Sequence, residues 1–227
     1  MGKVPILLRE ILATERDFMR LRKYRSKPLT KAMKGRSDEE LMLQYRDGNK
    51  YAFDILYHRY EKPLLNFLYR AAMNAADAES MCQEVFFRIV RARKKYEATA
   101  QFKTWLFQIA VNLCRDRSRR MKHRSHLSLD SHASSRNDDN IELHEIISDP
   151  SSNIEKHAEM EELETFVQRA IANLPKEEHL VVILREYQGL KISEIAEIMN
   201  RPPGTVKSLN HRAHRKLKKD LAKFIGD

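Results

Sequence analysis

Cysteine is nearly missing from this chain: Cys82 and Cys114 are the only two in 227 residues. They stand far apart, with no CxxC and no Cys/His pair at zinc-ligand spacing. That excludes a disulfide-framed secreted domain and the common structural zinc sites. Both lie in apolar-rich helical stretches, where a free buried thiol in a reducing cytosol is the expected state. Glycine (6) and proline (7) are also scarce, which disfavours an architecture of strands and turns. No run approaches the ~18–20 uninterrupted apolar residues of a membrane span. The apolar stretch 4–8 is short and is followed at once by Arg9 and Glu10, unlike a signal peptide. No Gly-rich phosphate loop, metal-ligand set or nucleophile motif is found. The expectation is a cytoplasmic protein without membrane insertion, which is not an enzyme and carries no cofactor and no metal.

What is present is charge on a helical framework. Lys and Arg number 42 against 32 Asp and Glu, a formal net charge of +10, while 42% of residues are hydrophobic. There is apolar material enough for compact cores, and the basic excess favours a polyanion partner, nucleic acid or an acidic membrane surface. The predicted fold class is all-α, with two helical domains joined by a flexible linker. Residues 1–36 form a basic N-terminal extension, with Lys23, Arg25, Lys27, Lys31, Lys34 and Arg36 in its second half. Residues 37–120 form the first helical block and 159–227 the second. Residues 121–158, rich in Ser, His, Asp and Asn, cannot bury much and read as a linker.

The first block opens on a capping signal, Ser37 followed by Asp38, Glu39 and Glu40. Asp47-Gly48-Asn49 is a natural break between two helices. Pro63 is placed near the start of a helix over 64–73, since proline is tolerated in a first turn. The next helix is expected over about 77–94, with Met81, Val85, Phe86, Ile89 and Val90 at three- and four-residue steps. A connector over 96–101 leads to a helix over 102–121, on which Trp105, Leu106, Ile109, Ala110 and Leu113 form one stripe. Trp105, the single tryptophan, is expected in the core. In the second block, helices are expected over 160–174, 177–187, 191–199 and from about Thr205.

The strongest local signal is the segment 192–208, ISEIAEIMNRPPGTVKS, which reads as a helix-turn-helix. Ile192, Ile195 and Met199 would hold the first helix on its neighbours, and Ala196 is small where the second helix crosses. Asn200 stands at the turn, where Asn tolerates a left-handed backbone. Pro202 and Pro203 can open a helix but not interrupt one. The second helix then carries Thr205, Lys207, Ser208, Asn210, His211, Arg212 and Arg215. In such motifs the N-terminal side chains of the second helix meet base edges in the major groove, while Lys and Ser more often hold phosphates. The rival reading of the same residues is an amphipathic hairpin with a solvated basic face.

Three segments together resemble the extracytoplasmic-function (ECF) RNA polymerase sigma factors. Residues 77–89, DAESMCQEVFFRI, are similar to that family's region 2.2; residues 102–116, FKTWLFQIAVNLCRD, resemble regions 2.3 and 2.4; the helix-turn-helix with His211-Arg-Ala resembles region 4.2. The likeness spans roughly residues 37–223. It implies a factor that binds core RNA polymerase, recognises the −10 and −35 promoter elements and promotes DNA melting. It implies that Asp77, Glu79, Gln83, Glu84, Phe87 and Arg88 dock on core polymerase, at the β′ clamp, with a further contact to β. Either Phe86 or Phe87 belongs to the core. It implies that Asn112 helps hold a base extruded from the −10 strand, with Tyr96 and Lys103 as further contacts. Arg115, Asp116, Arg119 and Arg120 complete that set, the arginines on phosphates. Thr205, Lys207, Ser208, Asn210, His211, Arg212 and Arg215 would read the −35 element. An anti-sigma factor is an expected partner.

The chain departs from the family pattern in places. Leu209-Asn210 replace a usual Arg-Leu pair, which passes the buried role to Leu209 in a stripe 206, 209, 213, 217, and Arg201 stands where an apolar residue is usual. Residues 1–36 read either as an additional DNA or polymerase contact or as sequence ahead of the true start at Met33. The acids between Asp138 and Asp149 read as a solvated spacer or as mimics of RNA phosphates. The alternative function is a free-standing helix-turn-helix transcription regulator that binds duplex DNA without polymerase.

Overall fold

A computed structural model describes residues 35–127 and 154–225. Among the described residues all regular structure is helical. The order is α1 (Asp38–Arg46), α2 (Lys50–Ala72), α3 (Ala75–Ala92), a 3-10 turn (Arg93–Lys95), α4 (Phe102–Leu127), α5 (Ile154–Ala172), α6 (Lys176–Val182), α7 (Ile192–Met199) and α8 (Pro203–Ile225). α6 continues as a π-helical turn over Ile183–Tyr187 and ends at Gly189, whose φ is +64°. The stretch read as a linker is thus helical at both ends. The acids between Asp138 and Asp149 and the basic residues 1–34 lie outside the described residues.

Helices α1–α4 form the first module. Ser37 caps α1 as its sequence requires, its hydroxyl accepting from the Glu40 N–H (3.2 Å) while the Glu40 carboxylate accepts from the Ser37 N–H (3.3 Å). The core is aromatic. Phe53, Phe67, Phe86, Phe102 and Phe107 are fully buried, each worth roughly 1.5–3 kcal/mol of burial. Tyr45 stacks on Phe53 at 4.6 Å, Phe53 meets Phe86 edge-on, and Phe67 meets Phe107 at 5.4 Å. These ring pairs tie α1, α3 and α4 to the long α2.

That long α2 corrects one expectation. Pro63 lies inside the helix and does not start one. An interior proline deletes one backbone hydrogen bond and costs about 3 kcal/mol. The apolar stripe outweighs it: Ala52, Phe53, Leu56, Tyr60, Leu64, Phe67 and Leu68 run along one buried face on both sides of the proline. α3 starts earlier than its apolar period indicated, because Asn74 caps it by accepting from the Asp77 N–H (2.9 Å). Trp105 is half-buried, its ring 5.1 Å from Tyr96 and 6.0 Å from Phe102, so it borders the core without entering it.

Helices α5–α8 form the second module around Leu180, Val181, Ile183, Leu184, Ile195, Ile198, Met199, Val206 and Ala213. Glu178 is buried at 5% exposure and takes Lys216 at 2.8 Å and Arg212 at 3.5 Å, which ties α6 to α8. Phe166 of α5 stacks on Phe224 of α8 at 4.3 Å. The two modules are in contact: α7 packs along α4, and the π-helical turn meets α2.

Candidate nucleic-acid interface

The turn before α8 is built as its residues dictate. Asn200 adopts φ 51°, ψ 54°, the left-handed conformation that ends α7. The Arg201 N–H then donates to the Ala196 carbonyl (2.9 Å), and the Pro202 carbonyl accepts from Thr205 and Val206 to open α8. Val206, Leu209 and Ala213 are buried and Leu217 is partly so, the stripe expected of the shifted leucine. Burial of this stripe turns Thr205, Lys207, Ser208, His211, Arg212 and Arg215 outward, and all six are exposed.

Two side chains of that row are restrained. The Ser208 hydroxyl donates back to the Gly204 carbonyl (2.9 Å). Arg212 is held from behind by Glu178. Asn210 is the member that does not join the row: it is half-buried, and its Oδ1 is enclosed with no partner among the described residues. His214, which follows the row, lies 3.5 Å from Glu186.

On α3, Glu79 and Gln83 are exposed, and Phe87 is half-buried beneath Arg91 at 5.7 Å. Phe86, by contrast, belongs to the core. Glu84 and Arg88 pair with each other at 2.8 Å, so this face is polar and largely self-compensated. Asp77 makes an ion pair with Arg117 of α4, which links the two helices.

The residues expected to meet the −10 element divide into three groups. Tyr96 is buried at 5% exposure, and its hydroxyl has no partner among the described residues. It is a wall of the core in this arrangement. The cause is the pair of rings Phe102 and Trp105 that follow it and enclose it. Asn112, Arg119 and Arg120 are exposed on α4, with Asp116 3.3 Å from Arg119. Lys103 and Arg115 instead face the second module. The Lys103 ammonium donates to the Gln188 carbonyl (3.2 Å). The Arg115 guanidinium donates to both oxygens of Glu177 (3.0 and 2.7 Å) and to the Met199 carbonyl (3.1 Å).

The partners of those cations were missed in the sequence. Lys176 donates to the carbonyls of Cys114 (3.2 Å) and Arg115 (3.3 Å). Burial alone would raise the Glu177 carboxyl; its hydrogen bond and charge pairing with Arg115, helped by Arg201 and Lys176, hold it below the usual range. At the Lys103–Gln188 contact the seam opens into a cleft of about 600 Å³ lined also by Arg59, Lys62, Arg70 and Tyr187, with no carboxylate in its lining. Also missed were the long-range tasks of the first acids of α1. Glu39 accepts the Phe102 N–H at 2.8 Å, which caps α4, while Asp38 takes Arg59 and the Tyr60 hydroxyl. Only the local cap of α1 had a sequence signal.

Among the described residues no group of three His, Cys, Asp or Glu is placed to hold a metal ion. Among them, too, no helix is long and apolar enough to cross a membrane.

Comparison with known proteins gives a consistent result. Residues 56–124 match the Sigma-70 region 2 family and residues 167–217 the Sigma-70, region 4 family. The RNA polymerase sigma-H factor of Pseudomonas aeruginosa is 30% identical over 188 residues, covering 83% of this chain and 95% of that protein. The ECF RNA polymerase sigma factor SigW of Bacillus subtilis is 30% identical over 178 residues, 78% of this chain and 93% of that one. Among solved structures, CnrH in complex with the cytosolic domain of CnrY aligns with a TM-score of 0.59 at 20% identity, over 83% of this chain and 99% of that one. The sigma factor RpoE of Bartonella quintana, solved with the anti-sigma factor NepR, aligns with a TM-score of 0.53 at 20% identity, over 74% and 96%. These structural likenesses bear on the fold.

Proposed function

The chain belongs to the ECF RNA polymerase sigma factors, and from that premise we propose how its residues divide the work of transcription initiation. The factor binds core RNA polymerase, recognises the −10 and −35 promoter elements and promotes DNA melting. The observation that carries the division is the pairing, in one chain, of a polar outer face on α3 with a separate cationic row on α8.

In this reading Glu79, Gln83, Glu84, Phe87 and Arg88 meet the β′ clamp of polymerase, with Phe87 as the apolar point of a polar patch. Asp77 contributes by fixing α3 on α4 through Arg117. Thr205, Lys207, Ser208, His211, Arg212 and Arg215 enter the major groove of the −35 element, with Arg212 oriented from behind by Glu178. Asn112 takes an extruded base of the −10 strand. Unstacking that base costs a few kcal/mol, which edge hydrogen bonds and stacking must offset. Lys103, Arg115, Arg119 and Arg120 hold phosphates of the opening duplex, and Asp116 orients Arg119. The factor performs no bond-making step itself; it works in the cytoplasm, where polymerase and chromosome meet. An anti-sigma factor that covers these faces is the expected regulator, and the RpoE likeness supports that expectation.

Reconstitution tests the reading. The full chain added to core polymerase should yield transcripts from defined start sites, each with related boxes upstream. Transcripts that do not depend on the chain, or failure of the two to associate, would overturn it. Loss of association in Gln83→Ala/Phe87→Ala, with helical content kept, would assign the docking face.

A further inference from the structure

We infer that Glu177 and Lys176 form an intramolecular clasp that competes with promoter DNA for the −10 face of α4. The inference rests on the proposed role of Arg115 as a holder of promoter phosphate.

A guanidinium offers a planar fork of donors that fits a carboxylate or a phosphate in the same two-pronged way. In this structure both prongs of Arg115 are spent on Glu177, and a further N–H goes to the Met199 carbonyl. The Arg115 side chain is only 16% exposed. The Nε–Nη2 fork that would grip a phosphate is filled, so Glu177 stands where a phosphate would. Lys176 closes the contact from the other side by donating to the backbone of Cys114 and Arg115. Further along the seam, Lys103 is held by the Gln188 carbonyl, and the Gln188 amide donates to the Pro63 carbonyl. Two of the cations assigned to the −10 strand are therefore engaged by the second module.

The clasp is one-sided. Thr205, Lys207, Ser208, His211 and Arg215 remain exposed on α8, and Asn112, Arg119 and Arg120 remain exposed on α4, while Arg115 and Lys103 are engaged. In the closed form the −35 reader is available, whereas the −10 face lacks two of its four phosphate holders, Arg115 and Lys103. Parting of the modules, as engagement of two separate promoter boxes requires, releases the fork of Arg115. The full phosphate grip on the −10 strand is thereby tied to the open form.

The test uses the full chain and a fluorescein-labelled single-stranded oligonucleotide, with affinity read by anisotropy at fixed salt and the radius of gyration read by X-ray scattering. Glu177→Gln, nearly isosteric, should bind the oligonucleotide on the order of tenfold more tightly, since a ligand's apparent affinity is reduced by the fraction of competent chain. It should also be more extended. Lys176→Gln should move both readings in the same direction, which secures the test if either variant folds poorly. Arg115→Gln should weaken binding, and the gain from Glu177→Gln should vanish in that background. If Arg115→Gln weakens binding but neither clasp variant strengthens it, the clasp is wrong and the DNA role of Arg115 stands. If Arg115→Gln changes nothing, the role of Arg115 is wrong and the clasp with it. A gain that persists in the Arg115→Gln background would mark a general charge effect and also overturn the clasp.

Discussion

His179 shows how one side chain couples the fold to pH. It is 8% exposed and its Nε2 has no partner among the described residues. Burial pushes its pKa down, against the pull of a hydrogen bond to the Arg70 backbone. The folded state therefore keeps the ring neutral, whereas the unfolded ring takes its proton near the ordinary value of 6.5. The unfolded chain binds more protons below that value, so stability is full above pH 6.5 and declines as pH falls through the lowered folded value. Thermal melts between pH 7.5 and 5 should show this decline, and His179→Gln should flatten it. A sequence pattern gave no means of singling out this histidine, because its burial comes from helices distant in the chain. The apolar stripe of α8 was legible by contrast: the displacement of leucine to position 209 leaves only one face able to bury. The burial of Tyr96 and Asn210 was not legible for a shared reason, since polar atoms on a motif look available until the neighbouring rings and helices are in place.

Helices were legible where their ends carry local chemistry. Ser37 with Glu40 announces α1, and removing that cap with Ser37→Ala should cost about 1 kcal/mol, read from urea denaturation midpoints. The interior of α2 was not legible, because proline is read as a boundary and only the burial of both flanking turns keeps the helix whole. That account predicts that Pro63→Ala raises stability, by roughly 1–3 kcal/mol after the gain in unfolded-chain freedom is set against the restored hydrogen bond. A loss of stability would mean that the proline ring itself packs in a way the helix needs. The start of α4 shows another limit: its cap, Glu39, lies 63 residues away in sequence.

At the scale of the whole molecule, the number of phosphates that the basic side chains contact sets how strongly DNA binding depends on salt. Affinity for promoter DNA in the assembled complex should fall linearly in log–log form as salt rises. Lys207→Ala should weaken binding and reduce that slope by about one, as expected for one lost phosphate contact. An unchanged slope would place Lys207 away from the backbone. Family membership and the helical class could be read from three motifs in order, but the meeting of the modules could not. It depends on pairs such as Arg115 and Glu177, which belong to different motifs and have no local signature. Both native thiols are buried, and burial pushes Cys82 and Cys114 up to about 12. At neutral pH they present almost no thiolate for attack. A maleimide dye should therefore ignore them, and one new cysteine at each of two exposed positions can be labelled in the otherwise native chain, giving optical rulers for the distance between the modules.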